Sequence, residues 1–239
     1  MKTMLKVQWY YLLDKTATAF LGLFAVFVFI AVFAASEATL GMSVLDVDRV
    51  RRAFVYRSSS LMAIRLASSV LGIFLGLHGW SRTQRRGCVF FVAGRKDILA
   101  FGAAKVAAAA VVVAVFVSAA MLWYGLVGGY LTPYFACSEL DWQLFVDILL
   151  EALFFLMAQG LVTMFFDGVF AAIPAFAVLW VLESSAPEGR WLSILFGAIR
   201  HARIDETGIA TFGDPSRQAL VLVVALVITV VVFAWKDVN

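Results

Sequence analysis

Residues 81–105 read SRTQRRGCVFFVAGRKDILAFGAAK, and the arrangement of the whole chain turns on this stretch. It is the one long polar, basic passage in the first half, and strongly apolar segments flank it on both sides. Arg82, Arg85, Arg86, Arg95, Lys96 and Lys105 set six cations against one acid, Asp97. Lys and Arg clustered beside a span resist translocation, which places the passage on the cytoplasmic side of a membrane. Its middle, Cys88 to Ala93, is nevertheless apolar and includes Phe90 and Phe91. A solvated linker has no use for two adjacent Phe residues. The stretch reads as a short helix at the membrane surface with a partner docked against it.

Composition supports a membrane setting. The chain has 239 residues, 63% of them hydrophobic and 15% charged. Soluble domains run at about 45–50% apolar and about 25% charged, so a bilayer must act as solvent for most of this chain. The formal net charge of +3 is no nucleic-acid footprint, because the cations sit beside apolar spans and do not share one soluble face. Two cysteines, Cys88 and Cys137, are too few for a disulfide scaffold or a Cys-rich metal site. The topology below puts them on opposite sides of the membrane.

Outward from the basic passage, hydropathy predicts six spans, at residues 17–35, 59–80, 103–124, 144–166, 168–182 and 219–235. The first is an uninterrupted run of 19 residues, where a span needs roughly 20 and a signal peptide roughly 7–15. Before it, Leu5, Trp9, Leu12, Leu13 and Thr16 recur at helical spacing and predict an interfacial helix over residues 1–16. Residues 36–57 read as a mixed-charge outer loop, and Asp167-Gly168 as a tight inner turn. Pro174 falls inside the fifth span and predicts a kink. Residues 183–217 read as a long outer loop with a short helical segment at 191–199. Both termini then lie inside, and Lys and Arg favour the inside by ten to eight. The whole chain is one transmembrane domain.

Polar groups within a span are costly and face protein or a water-filled path. At 100° per residue, Arg65, Ser68, Ser69, Gly72, Gly76 and Gly79 share one face of the second span. Small residues there let helices approach closely, so this face either packs on another helix, of this chain or a second copy, or lines a transport path. Asp147 and Glu151 share a face of the fourth span, with Gln159 two turns further on. Arg65 and Glu151 fall at similar depth, roughly 10 Å inside the outer boundary at 1.5 Å per residue. They are expected to form an ion pair, the less costly arrangement for a buried acid and base. A proton or cation site built from Arg65, Asp147 and Glu151 is the alternative, and it would make the chain a self-contained secondary transporter or channel. There is no G-x-x-x-x-G-K-[ST], G-x-S-x-G or H-E-x-x-H motif, so the chain is not expected to be an enzyme or to hydrolyse ATP.

The basic pair with glycine (Arg85-Arg86-Gly87), the apolar tetrad Phe90 to Ala93, the basic turn Arg95-Lys96 and an apolar helix opened by Gly102 and Lys105 resemble the cytoplasmic loop of type-2 ABC transporter permeases. The N-terminal interfacial segment, the outer segment before the last span and the Lys236-Asp237 stop extend the likeness along the chain. The resemblance implies an all-α, six-span fold with an elbow helix and a cytoplasmic coupling helix, multi-pass in the plasma (inner) membrane. It implies a separate ABC ATPase subunit that carries ATP and Mg, and a second permease copy, identical or related. Arg85, Arg86, Phe90, Phe91, Arg95 and Lys96 would meet that ATPase. The cargo it implies is amphipathic or lipid-like, such as a peptide antibiotic, drug or lipid.

Overall fold

The computed structural model describes residues 8–9, 12–40, 46–81, 95–132, 135–166, 168–184, 203–204, 210–211 and 215–236. Nearly all of this is helix: α1 (Lys15–Leu40), α2 (Asp46–Gly79), α3 (Arg95–Leu131), α4 (Glu139–Phe165), a 3-10 turn (Val169–Ala172), α5 (Ile173–Ser184) and α6 (Pro215–Lys236). A two-residue antiparallel ribbon pairs Arg203 with Thr211 and Ile204 with Ala210, inside the loop read as outer. Apolar composition explains the helices. Without water, a spanning backbone must satisfy its own N–H and C=O groups, and a helix does so within one segment.

Four helical stretches, Lys15–Thr39, Arg51–Gly79, Leu99–Leu131 and Asp141–Phe165, are long and apolar enough to cross a membrane. Two shorter apolar ones, Phe170–Leu179 and Ala219–Val232, accompany them. α2 packs most extensively on α4 and also meets α1, α3 and α5, while α6 lies against α3 and α4. The outer flanks stay apolar: Leu23, Ile30, Leu122, Val115 and Leu220 are all exposed, as expected where lipid is the solvent.

Several boundaries differ from the sequence reading, for one physical reason. Hydropathy marks where a helix meets hydrocarbon, whereas helix formation needs only backbone hydrogen bonds and tolerant side chains. Thus α1 runs on to Leu40 and α2 begins at Asp46, so residues 36–57 are mostly helix instead of loop. With 34 residues, α2 is ~51 Å long at 1.5 Å per residue, well beyond a hydrocarbon core of about 30 Å. α3 likewise includes Arg95 and Lys96, eight and seven residues ahead of the span read as beginning at 103. Arg85, Arg86, Phe90 and Phe91 lie outside the described residues, as does the segment 191–199.

The expected kink at Pro174 is also relocated. The chain breaks at Gly168, whose φ of 96° suits a residue without Cβ. It then forms the 3-10 turn, and Pro174 is only the second residue of α5. In a first turn proline removes no helical hydrogen bond. Of the segment read as interfacial, Gln8, Trp9 and Leu12 are helical among the described residues, and the Leu13 N–H donates to the Trp9 carbonyl at 3.0 Å. Asp14 then caps α1, its Oδ1 accepting from the Ala17 N–H at 2.8 Å.

Candidate functional site

The polar groups inside the bundle fall in three layers along the α2–α4 interface. The middle layer holds Arg65 and Glu151. The Arg65 Nε donates to Glu151 Oε2 at 2.8 Å, and the Glu151 side chain is fully buried. The structure thus brings together the two groups that spacing alone placed at equal depth. Asp147, one turn from Glu151 on α4, is buried as well.

Toward the basic passage, small residues take over. A Cβ on Gly72 would collide with the Ala152 carbonyl, and one on Gly76 would come within 2.7 Å of the Leu156 carbonyl and 2.8 Å of Gln159 Cβ. Gly72 and Gly76 of the small-residue stripe are therefore in contact with α4 of the same chain, and Ser68 and Ser69 are buried beside them. Gln159 closes this layer: its Nε2 donates to Thr163 Oγ1 at 2.9 Å and to the Ala171 carbonyl at 3.0 Å, tying α4 to the 3-10 turn.

The ends of α1, α2 and α3 meet beside the basic passage. His78 Nε2 stands 3.3 Å from Asp14 Oδ2. Leu12 Cδ1 and Lys105 Cε both approach Gly79, and Lys105 Nζ lies 5.8 Å from the centroid of the buried Trp80 ring. Lys105, counted among the loop cations, is thus almost wholly buried in the bundle. His78 meets a carboxylate, and His201 lies outside the described residues. No group of three or more His, Cys, Asp or Glu able to hold a metal occurs among the described residues.

The third layer, at the far end, had no place in the sequence reading. Asp141 at the start of α4 is its hub. Arg57 Nε and Nη2 donate to Asp141 Oδ1 and Oδ2 at 2.9 and 3.2 Å, the two-pronged geometry that favours Arg. The Tyr124 hydroxyl donates to Oδ1 at 2.8 Å, and the Ser138 N–H and hydroxyl donate to Oδ2 at 2.8 and 3.0 Å. The Tyr56 hydroxyl donates to the Tyr124 carbonyl at 2.6 Å, and the two rings stack at 5.4 Å. Phe135 stands edge-on to both tyrosines at 5.2 Å, with the Arg57 guanidinium 5.6 Å from its centroid. Nearby, the Ser36 and Thr132 hydroxyls share a hydrogen bond of 3.2 Å that joins α1 to the end of α3. One signal for this cluster was legible: Ser138-x-x-Asp141 has the spacing of a capping box. The long-range partners, Arg57 and Tyr124, were not.

Cys137 flanks this cluster. It is exposed, yet its Sγ faces the bundle, 3.4 Å from where a Cβ on Gly125 would sit. Loss of water around the sulfur, and then the Asp141 carboxylate, hold the thiol above its ordinary pKa.

Fold and layers together define an α-helical, multi-pass membrane protein. The chain matches no family model, no curated protein and no solved structure.

Proposed function

We propose that the chain is the membrane subunit of an ATP-driven type-2 ABC exporter that moves an amphipathic or lipid-like cargo. In this reading α5 and α6 complete six crossings, both termini and the basic passage are cytoplasmic, and the membrane is the plasma (inner) membrane. A second permease copy completes the path, and a separate ABC ATPase supplies ATP hydrolysis with Mg.

One observation carries the reading. The basic, Phe-bearing connection between α2 and α3 joins two of the longest helices, and their ends beside it are packed on each other and on the start of α1 through Gly79, Leu12, Lys105, His78 and Asp14. A push on that connection is delivered to three helices at once. Phe90 and Phe91 would anchor it in a cleft of the ATPase, since buried aromatic anchors supply most of an interface's energy. Arg85, Arg86, Arg95 and Lys96 would face acids on that partner.

The test is purification of the tagged chain from its native membranes in mild detergent. A stoichiometric ABC ATPase should accompany it, and the preparation should hydrolyse MgATP. Phe90→Ser with Phe91→Ser should remove the ATPase while leaving the chain folded. Proton-coupled transport by the chain alone in vesicles would overturn the reading and move attention to Arg65, Asp147 and Glu151.

A further inference from the structure

We propose that the far end of the bundle is an electrostatic lock centred on Asp141, and that neutralising this one carboxylate parts the far ends of the helices while the opposite end stays closed. The inference concerns the chain alone and does not rest on the exporter reading.

Both ends of the bundle are closely packed, Gly128 lying against Phe135 and Tyr56 at the far one, but the far end is in addition tied through one buried carboxylate. At the far end, five hydrogen bonds from Arg57 on α2, Tyr124 on α3 and Ser138 ahead of α4 converge on one carboxylate. Hydrogen bonds to a charged acceptor are roughly twice as strong as neutral ones, so the charge on Asp141 governs the attachment of three helices together. Beyond the middle pair, the interface is held by shape: Gly72 and Gly76 lie against α4 backbone, and Gly160 lies against the Trp80 ring. Those contacts do not depend on the charge of Asp141. With that charge removed, the far ends keep only their ring packing, and α2 and α4 open like forceps with the pivot near Gly72 and Gly76, where backbone contact is unaffected.

Paired spin labels on the full-length chain in lipid nanodiscs test this, with Cys88 and Cys137 replaced by serine. One pair reports the far end, at exposed Met62 on α2 and exposed Trp142 on α4. The other reports the opposite end, at exposed Leu99 on α3 and exposed Phe165 on α4. Asp141→Asn is expected to shift the Met62–Trp142 separation to longer, broader values and to leave the Leu99–Phe165 separation unchanged. Tyr124→Phe, which removes a single bond, should give a smaller shift in the same direction. It carries the test should the Asn variant not fold. An unchanged far-end separation in the variants that fold would overturn the proposal. So would equal broadening at both ends, because Asp141 would then support the fold as a whole.

Discussion

Arg65 Nε lies 2.8 Å from Glu151 Oε2, and this contact joins α2 to α4 at mid-bundle with the carboxylate fully buried. Taking either partner away leaves a charge in a low-dielectric interior, which typically costs about 3–5 kcal/mol. Glu151→Gln and Arg65→Gln should each lower the yield of folded chain in detergent. The double variant should recover part of the loss, because two neutral amides can face each other. Additive losses, read by size-exclusion recovery and thermal melting, would show that the two groups act separately.

The glycines of α2 make a second, steric prediction. Gly72→Ala and Gly76→Ala place a methyl group against α4 backbone and should each destabilise by about 1–3 kcal/mol, as overpacking does. Gly22→Ala and Gly129→Ala meet open space. They should be neutral or slightly stabilising, since Gly in a helix is about 1 kcal/mol worse than Ala. Melting temperatures of the four variants, compared in one detergent, check the contrast.

Cys137 gives both a topology test and a pH test. A membrane-impermeant maleimide added to intact cells should label Cys137, and Cys88 should react only after the membrane is opened. The pH dependence follows from the raised thiol pKa, which keeps the neutral form dominant to higher pH. The thiolate is the reactive form, so labelling of Cys137 should be slower than that of a free cysteine at neutral pH. It should also keep rising at pH values where a free thiol has levelled off. Asp141→Asn removes one of the raising influences and should move this profile toward lower pH.

Gln159 supplies a fourth test. Its amide holds both Thr163 and the Ala171 carbonyl, so Gln159→Leu should loosen the turn between α4 and α5. Proteolysis near Gly168 should become faster, while the far-end spin-label separation should not change.

The pattern of apolar runs was enough, by itself, to establish a helical membrane protein. It also located the intramembrane charges, because 3.6-residue periodicity and 1.5 Å of rise place Arg65 and Glu151 at one depth without any knowledge of neighbours. The same rules gave the close-packing stripe at Gly72 and Gly76. What they could not give was the partner. Only tertiary structure decided that α4 of the same chain fills that stripe, that Lys105 is buried beside Trp80, and that Arg57 and Tyr124, 84 and 17 residues from Asp141, end on its carboxylate. Helix ends escaped the sequence reading for a related reason. Hydropathy records where hydrocarbon begins, and α2 and α3 continue past that boundary because their backbones bond internally with or without lipid around them.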